Sequence, residues 1–132
     1  MSNINYESTV YISHPYSGLK ENEEKVAEII NQLTKEYPTY LFISPIHAFS
    51  YAYHAVDYQK GINMCLWLLD RCDEMWVYGD WENSKGCNME IGFCIANDIP
   101  YEIKGAIWYV KWVKKIRKLI KIKKYEWKVD LF

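Results

Sequence analysis

Hydrophobic positions change their period several times along the chain, and each change marks an element. Residues 8–13, STVYIS, form a short apolar run that predicts a first strand, and HPYSG at 14–18 follows as a turn rich in Pro, Ser and Gly. From Leu19 to Glu36 the apolar residues Val26, Ile29, Ile30 and Leu33 recur at i, i+3, i+4 and i+7, with charges between them. That spacing predicts an amphipathic helix. Pro38 excludes its continuation, and TYLFIS at 39–44 reads as a second buried strand ended by Pro45.

Residues 45–57, PIHAFSYAYHAVD, are aromatic and carry two histidines but keep no clean period, which suits a loop or short helix over the sheet edge. Helical spacing returns from about Tyr58 to Cys72 through Ile62, Cys65, Leu66, Leu69 and Cys72, and DEMWVY at 73–78 reads as a third strand. A loop of Gly79, Asp80, Asn83, Ser84 and Gly86 precedes a helical pattern through Ile91, Cys94 and Ile95, and Pro100 opens another strand. Strands alternating with helices predict an α/β domain with a doubly wound parallel sheet of four to five strands. Beyond it, IWYVKWVKKIRKLIKI at 107–122 predicts a basic helix with Trp108, Trp112, Ile116 and Leu119 on one side, and YEWKVDLF at 125–132 alternates like an edge strand.

Composition narrows the class. The 132 residues suit a single domain with a core at about 8–103 and a basic extension over 104–132. Hydrophobic residues at 50% argue against disorder, and no apolar run approaches the roughly 20 residues of a membrane span. MSNINYESTV has neither the basic start nor the apolar segment of a secretory signal, so a cytoplasmic location without membrane attachment is expected. The net charge of −1 conceals an asymmetry: residues 1–103 hold 6 Lys/Arg against 15 Asp/Glu, and residues 104–132 hold 10 against 2. Attraction to nucleic acid or an anionic membrane is one reading of that basic end. A helix packed on the acidic domain or at an oligomer contact is the preferred one, because no nucleic-acid motif accompanies the charge.

Cys65, Cys72, Cys87 and Cys94 form two pairs seven residues apart, with no CxxC and no histidine cluster, so buried thiols on helix faces are expected and no metal or cofactor is indicated. The chemistry concentrates elsewhere. In an open parallel sheet, ligands bind beyond the carboxyl ends of the strands, where HPYSG and the 79–86 loop fall. Glu90, near the start of its helix, feels the positive end of the dipole, which favours the charged form and suits a nucleophile or base; ordinary helix electrostatics is the alternative reading. Ser84 and Gly86 suit a phosphate contact as well as they suit an N-cap and turn. Tyr11, Ser13, His14, Ser17 and Gly18 lie at the first strand and its turn. Asp57, Asp73 and Asp80 are further acid candidates, and His47, Phe49, Tyr51, Tyr53 and His54 suit stacking on a base or packing in a lid.

VYISHPYSG at 10–18, LLDRCDEMWVYG at 68–79 and SKGCNMEIGFCIANDIPYE at 84–102, in this order, resemble the nucleoside 2-deoxyribosyltransferase superfamily, which includes 2′-deoxynucleoside 5′-monophosphate N-hydrolases. Small, often phage-encoded proteins share the HPYSG and CDEMWV stretches and imply no activity of their own. The superfamily resemblance implies a flavodoxin-like fold, a homodimer or larger homo-oligomer, and a nucleoside or nucleotide ligand. It implies that Glu90 attacks C1′ of the sugar to release the base, that Tyr11 orients Glu90, and that Ser84 with Gly86 binds a 5′-phosphate. Asp80 is placed beside them as a catalytic carboxylate, with Ser13, His14, Ser17, Gly18 and His47 as ligand contacts.

Two departures stand out. The superfamily's acid, an Asp in the helix before the third strand, falls on Cys65, and Pro15 removes a backbone donor from the first loop. Two functions therefore remain open: N-glycosidic cleavage or deoxyribosyl transfer through Glu90, or a binding module that senses or sequesters a nucleotide-derived molecule. A third, an interaction protein using the basic helix, predicts binding to nucleic acid that salt weakens.

Overall fold

A computed structural model describes residues 4–105. Four strands, β1 (Ser8–Ser13), β2 (Tyr40–Ile43), β3 (Glu74–Tyr78) and β4 (Tyr101–Gly105), form one open sheet in the order β2-β1-β3-β4. All three neighbouring pairs are parallel, with Tyr11 opposite Ile43 on one side and Met75 on the other. This is an α/β architecture, and its order matches the first four positions of the flavodoxin-like arrangement. The expected basic helix at 107–122 and edge strand at 125–132 lie outside the described residues.

The side-chain alternation of β1 explains why helices cover both faces. Val10 and Ile12 point to one side, where Val26, Ile29 and Leu33 of α1 (Lys20–Glu36) meet them together with Phe42, Trp76 and Tyr78. Tyr11 points to the other, among Met75, Val77, Ile103, Leu69 of α3 (Tyr58–Leu69) and Cys94 of α4 (Lys85–Ala96). Between β2 and α3 the aperiodic stretch forms a short α2 (Pro45–Phe49) and a single 3-10 turn, Ser50–Ala52. Side chains fix the starts of the later helices: Ser44 caps α2, Asp57 caps α3 through the Lys60 N–H at 2.7 Å, and Ser84 caps α4 through the Cys87 N–H at 3.2 Å.

One boundary and one buried face differ from the sequence pattern. Helix α3 stops at Leu69, so Cys72 sits in the turn before β3, still buried. In α4 the buried residues are Cys87, Glu90 and Cys94; Ile91 is partly buried against the same cluster, whereas Ile95 is 63% exposed. A carboxylate occupies a core position of this helix.

Candidate functional site

At the carboxyl ends of β1, β2 and β3, the segments that follow each strand enclose a cavity of about 700 Å³. His14 to Ser17 contribute from the β1 turn, Pro45 to Tyr58 from α2 and the connection to α3, and Asp80 to Cys87 from the β3 loop and the start of α4. Parallel strands deliver all three loops to one edge of the sheet, and the crevice falls where β1 feeds a helix on one face and β3 feeds one on the other.

Glu90 lines this cavity while remaining 5% exposed. Tyr11 donates its phenolic hydrogen to one carboxyl oxygen, and the Ser13 hydroxyl donates to the other at 2.8 Å. The two donors stand two residues apart on β1 and so project from the same face of the sheet, toward α4. Three residues that the sequence separates by up to 79 positions thus make one buried unit, with Tyr11 and Ser13 behind the carboxylate and the cavity before it.

The electrostatics reverse the expectation that the helix dipole keeps Glu90 charged. It is the sixth residue of α4, beyond the first turn in which the dipole acts strongly, and its burial dominates. Burial raises its carboxyl from the ordinary 4.5 to about 7, against the opposing pull of the Tyr11 and Ser13 hydrogen bonds. The Tyr11 phenol is itself pushed well upward, by burial first and by the adjacent carboxylate second. Cys65 and Cys87 also line the cavity, and burial with the charge of Glu90 raises each thiol to about 11. Near neutral pH Glu90 is therefore the one group of this buried set that exchanges a proton.

The β1 turn is shaped by close ring contacts. Nδ1 of His14 donates to the Pro15 carbonyl at 2.7 Å, leaving Nε2 as an acceptor, and burial lowers the ring's proton affinity. That ring lies over Gly79, whose φ is +78° and where a Cβ would stand 2.9 Å from Nε2. On the other side of the turn, Tyr53 lies over Gly18, φ +70°, with a Cβ there 2.8 Å from Cε1, and its ring meets Tyr16 edge-on at 4.8 Å. Glycine is required at both positions by the backbone and by the ring above it.

Residues 8–104 match the family described as a domain of unknown function, DUF7768. The chain belongs to the DUF7768 family. The match runs from the first residue of β1 to the penultimate residue of β4 and so contains every element of the cavity. No curated protein matches the chain.

Within this DUF7768 domain the expected site residues separate into three groups. His14, Ser17, Asp80, Ser84, Gly86 and Glu90 line the cavity; Tyr11 and Ser13 reach it through Glu90; and Gly18 supports Tyr53 at its edge. His47 does not join them. It is exposed on α2, with Nδ1 held 2.7 Å from the Ser44 hydroxyl, because the cap that starts the helix also fixes the ring. Among the aromatic candidates Phe49 and Tyr53 line the cavity, whereas Tyr51 is 79% exposed and His54 packs edge-on against Tyr53. Asp57 lines the cavity, whereas Asp73 lies at the opposite end of the sheet, where it accepts hydrogen bonds from Thr9.

Tyr58 and Lys85 are among the lining residues that sequence reasoning missed, with Ser50, Val56, Gly61 and Met64. The Lys85 ammonium stands 4.8 Å above the Tyr58 ring, joining the starts of α3 and α4. The available signal was the pair of N-caps, Asp57 and Ser84, each one residue before them. Among the described residues no group of three His, Cys, Asp or Glu is arranged to hold a metal, and no helix is long and apolar enough to cross a membrane.

Proposed function

We propose that this protein cleaves the N-glycosidic bond of a nucleoside or nucleotide, by hydrolysis or by transfer of the sugar, with Glu90 as the nucleophile. The observation that carries the reading is a buried carboxylate facing a cavity while two hydroxyl donors hold it from behind. A glycosidic carbon gains positive charge as its bond to the base lengthens, and an anionic oxygen at hydrogen-bond-fixed geometry stabilises that charge and forms the glycosyl-enzyme. Tyr11 and Ser13 orient the carboxylate and, by hydrogen bonding, offset part of the cost of ionising it in a dry site.

Phe49 and Tyr53 supply faces on which a base stacks. Ser84 and Gly86, at the start of α4, suit the sugar or its 5′-substituent: a Cβ at Gly86 would have only ordinary contacts, 3.9 Å from the Tyr58 hydroxyl and 4.0 Å from Ser84 Oγ. Asp80 belongs to the rim, with both carboxyl oxygens accepting from the Asn83 amide at 3.1 and 3.0 Å. A cytoplasmic homo-oligomer remains part of this reading.

The second reading, a module that binds a nucleotide-derived molecule without turning it over, draws on one observation: the group beside Tyr11 and Glu90 is the weakly acidic thiol of Cys65. A panel of nucleosides and 5′-monophosphates, with and without an acceptor base, separates the two. Free base released by the parent protein and lost in Glu90→Gln establishes glycosidic chemistry. Ligand binding with no release from any member of the panel, at protein concentrations stoichiometric with substrate, establishes the binding module.

A further inference from the structure

Among the described residues, the cavity presents one buried carboxyl group for the sugar and no second carboxyl beside it for the departing base. Among the described residues, the groups that act on the proton affinity of Glu90 besides its burial are the Tyr11 and Ser13 hydroxyls; no second carboxyl does. The titratable groups that feel its charge are phenols and thiols, Tyr11, Tyr58, Cys65, Cys87 and Cys94, each pushed upward by burial. His14 is poised as an acceptor, because its Nδ1 hydrogen is given to the Pro15 carbonyl. The two other carboxyl groups on the wall accept N–H donors: Asp57 holds the Lys60 amide, and Asp80 holds the Asn83 side chain.

An ordinary purine or pyrimidine leaves a sugar slowly unless it is protonated, and a positioned acid contributes about 10²- to 10⁴-fold to such a step. A base that already carries a positive charge needs no proton. The rest of the wall suits that charge. Its carboxyl groups are Asp57, Asp80 and, once ionised, Glu90, against Lys85, whose ammonium already faces the Tyr58 ring, and the aromatic faces of Phe49 and Tyr53 stand among them. Carboxylates and π-faces attract a flat cation and disfavour an anion.

We propose that the substrate is an N-glycoside whose base is quaternised and cationic, a pyridinium or an N-alkylated purinium. This rests on the glycosidase reading above. A Glu90 oxygen forms a bond to C1′ as the C1′–N bond breaks; the bonding pair passes to the ring nitrogen, and the base departs neutral. Water then adds to C1′, the carboxylate is released, and the one proton lost from that water passes to solvent. No proton donor enters the first step.

The test uses the full chain with N-ribosylnicotinamide as the pyridinium and N7-methylguanosine as the purinium, beside guanosine and uridine as uncharged partners. Each is offered as riboside and 2′-deoxyriboside, with and without a 5′-phosphate. Base release is followed by chromatography, corrected for the blank without protein, and repeated with Glu90→Gln. The expected result is release from at least one cationic substrate about 100-fold or more faster than from the uncharged partners, lost in Glu90→Gln. Which cationic arm responds distinguishes pyridinium from purinium. Glu90-dependent release from uncharged nucleosides at a rate within about tenfold overturns the cationic assignment and leaves the glycosidase reading intact. No Glu90-dependent release from any substrate overturns both.

Cys65→Asp gives a readout that packing alone does not move. An acid placed beside Tyr11 and Glu90 is expected to narrow the ratio of cationic to uncharged rates at least about tenfold, and an unchanged ratio in the folded variant counts against the argument. Where that variant fails to fold, the ratio measured on the parent protein still decides.

Discussion

The burial of Glu90 makes a quantitative prediction for the stability of the fold. Its folded carboxyl loses its proton at about 7, against an ordinary 4.5. Between those values the folded state holds a proton that the unfolded chain has released, so stability falls by about 1.4 kcal/mol for each pH unit gained. Across the whole window the loss comes to about 3 kcal/mol, complete above pH 7 and absent below pH 4.5. Glu90→Gln keeps the shape and remains able to pair with Tyr11 and Ser13, but has no proton to lose. Urea unfolding of both proteins at pH 4.5, 5.5, 6.5 and 8 isolates the effect, since every other titrating group cancels in the difference. The variant is expected to gain on the parent by about 3 kcal/mol from the lowest pH to the highest. A flat difference means that Glu90 is solvated in the folded protein. A difference of the opposite sign means that hydrogen bonds or the dipole of α4 outweigh burial, and either result refutes the electrostatic reasoning.

Tyr11→Phe removes a donor that favours the ionised carboxylate, so the midpoint of the same stability curve, and of any Glu90-dependent activity, is expected to move above 7; a downward shift on pH titration contradicts the role given to Tyr11. Gly79→Ala places a Cβ 2.9 Å from the His14 ring at a φ of +78° and is expected to cost about 1–2 kcal/mol by chemical denaturation, with no comparable loss for Gly92→Ala, where nothing lies within 4 Å. Ser84→Ala removes the cap of α4 and is expected to destabilise by about 1 kcal/mol, an effect that Ser84→Asp should largely spare.

The sheet was legible because its signals are local. Short apolar runs bounded by Pro and Gly announce β1, β2 and β3, and the i, i+3, i+4, i+7 spacing of Val26, Ile29, Ile30 and Leu33 announces α1 within one residue of where it begins. The helix α4 was equally legible, but which of its residues are buried was not, and the reason leads to the site. Hydrophobic periodicity assigns burial by residue type, so it cannot separate Ile95 from the buried residues and has no means of placing Glu90 among them; only the hydroxyls of Tyr11 and Ser13, which β1 presents toward α4, make a core position tolerable for a carboxyl group. His47 stands outside the cavity lining for a related reason: the loop that carries it was identified, but the Ser44 cap that holds its ring acts through hydrogen bonds without any periodic trace. A carboxyl group is buried at this cost in a helix that leaves an isoleucine in solvent five residues later, a combination that packing alone does not explain. An apolar residue at 90 would fill the Cys87–Cys94 stripe, leave Tyr11 and Ser13 to pair otherwise, and remove the proton-linked penalty of about 3 kcal/mol at neutral pH.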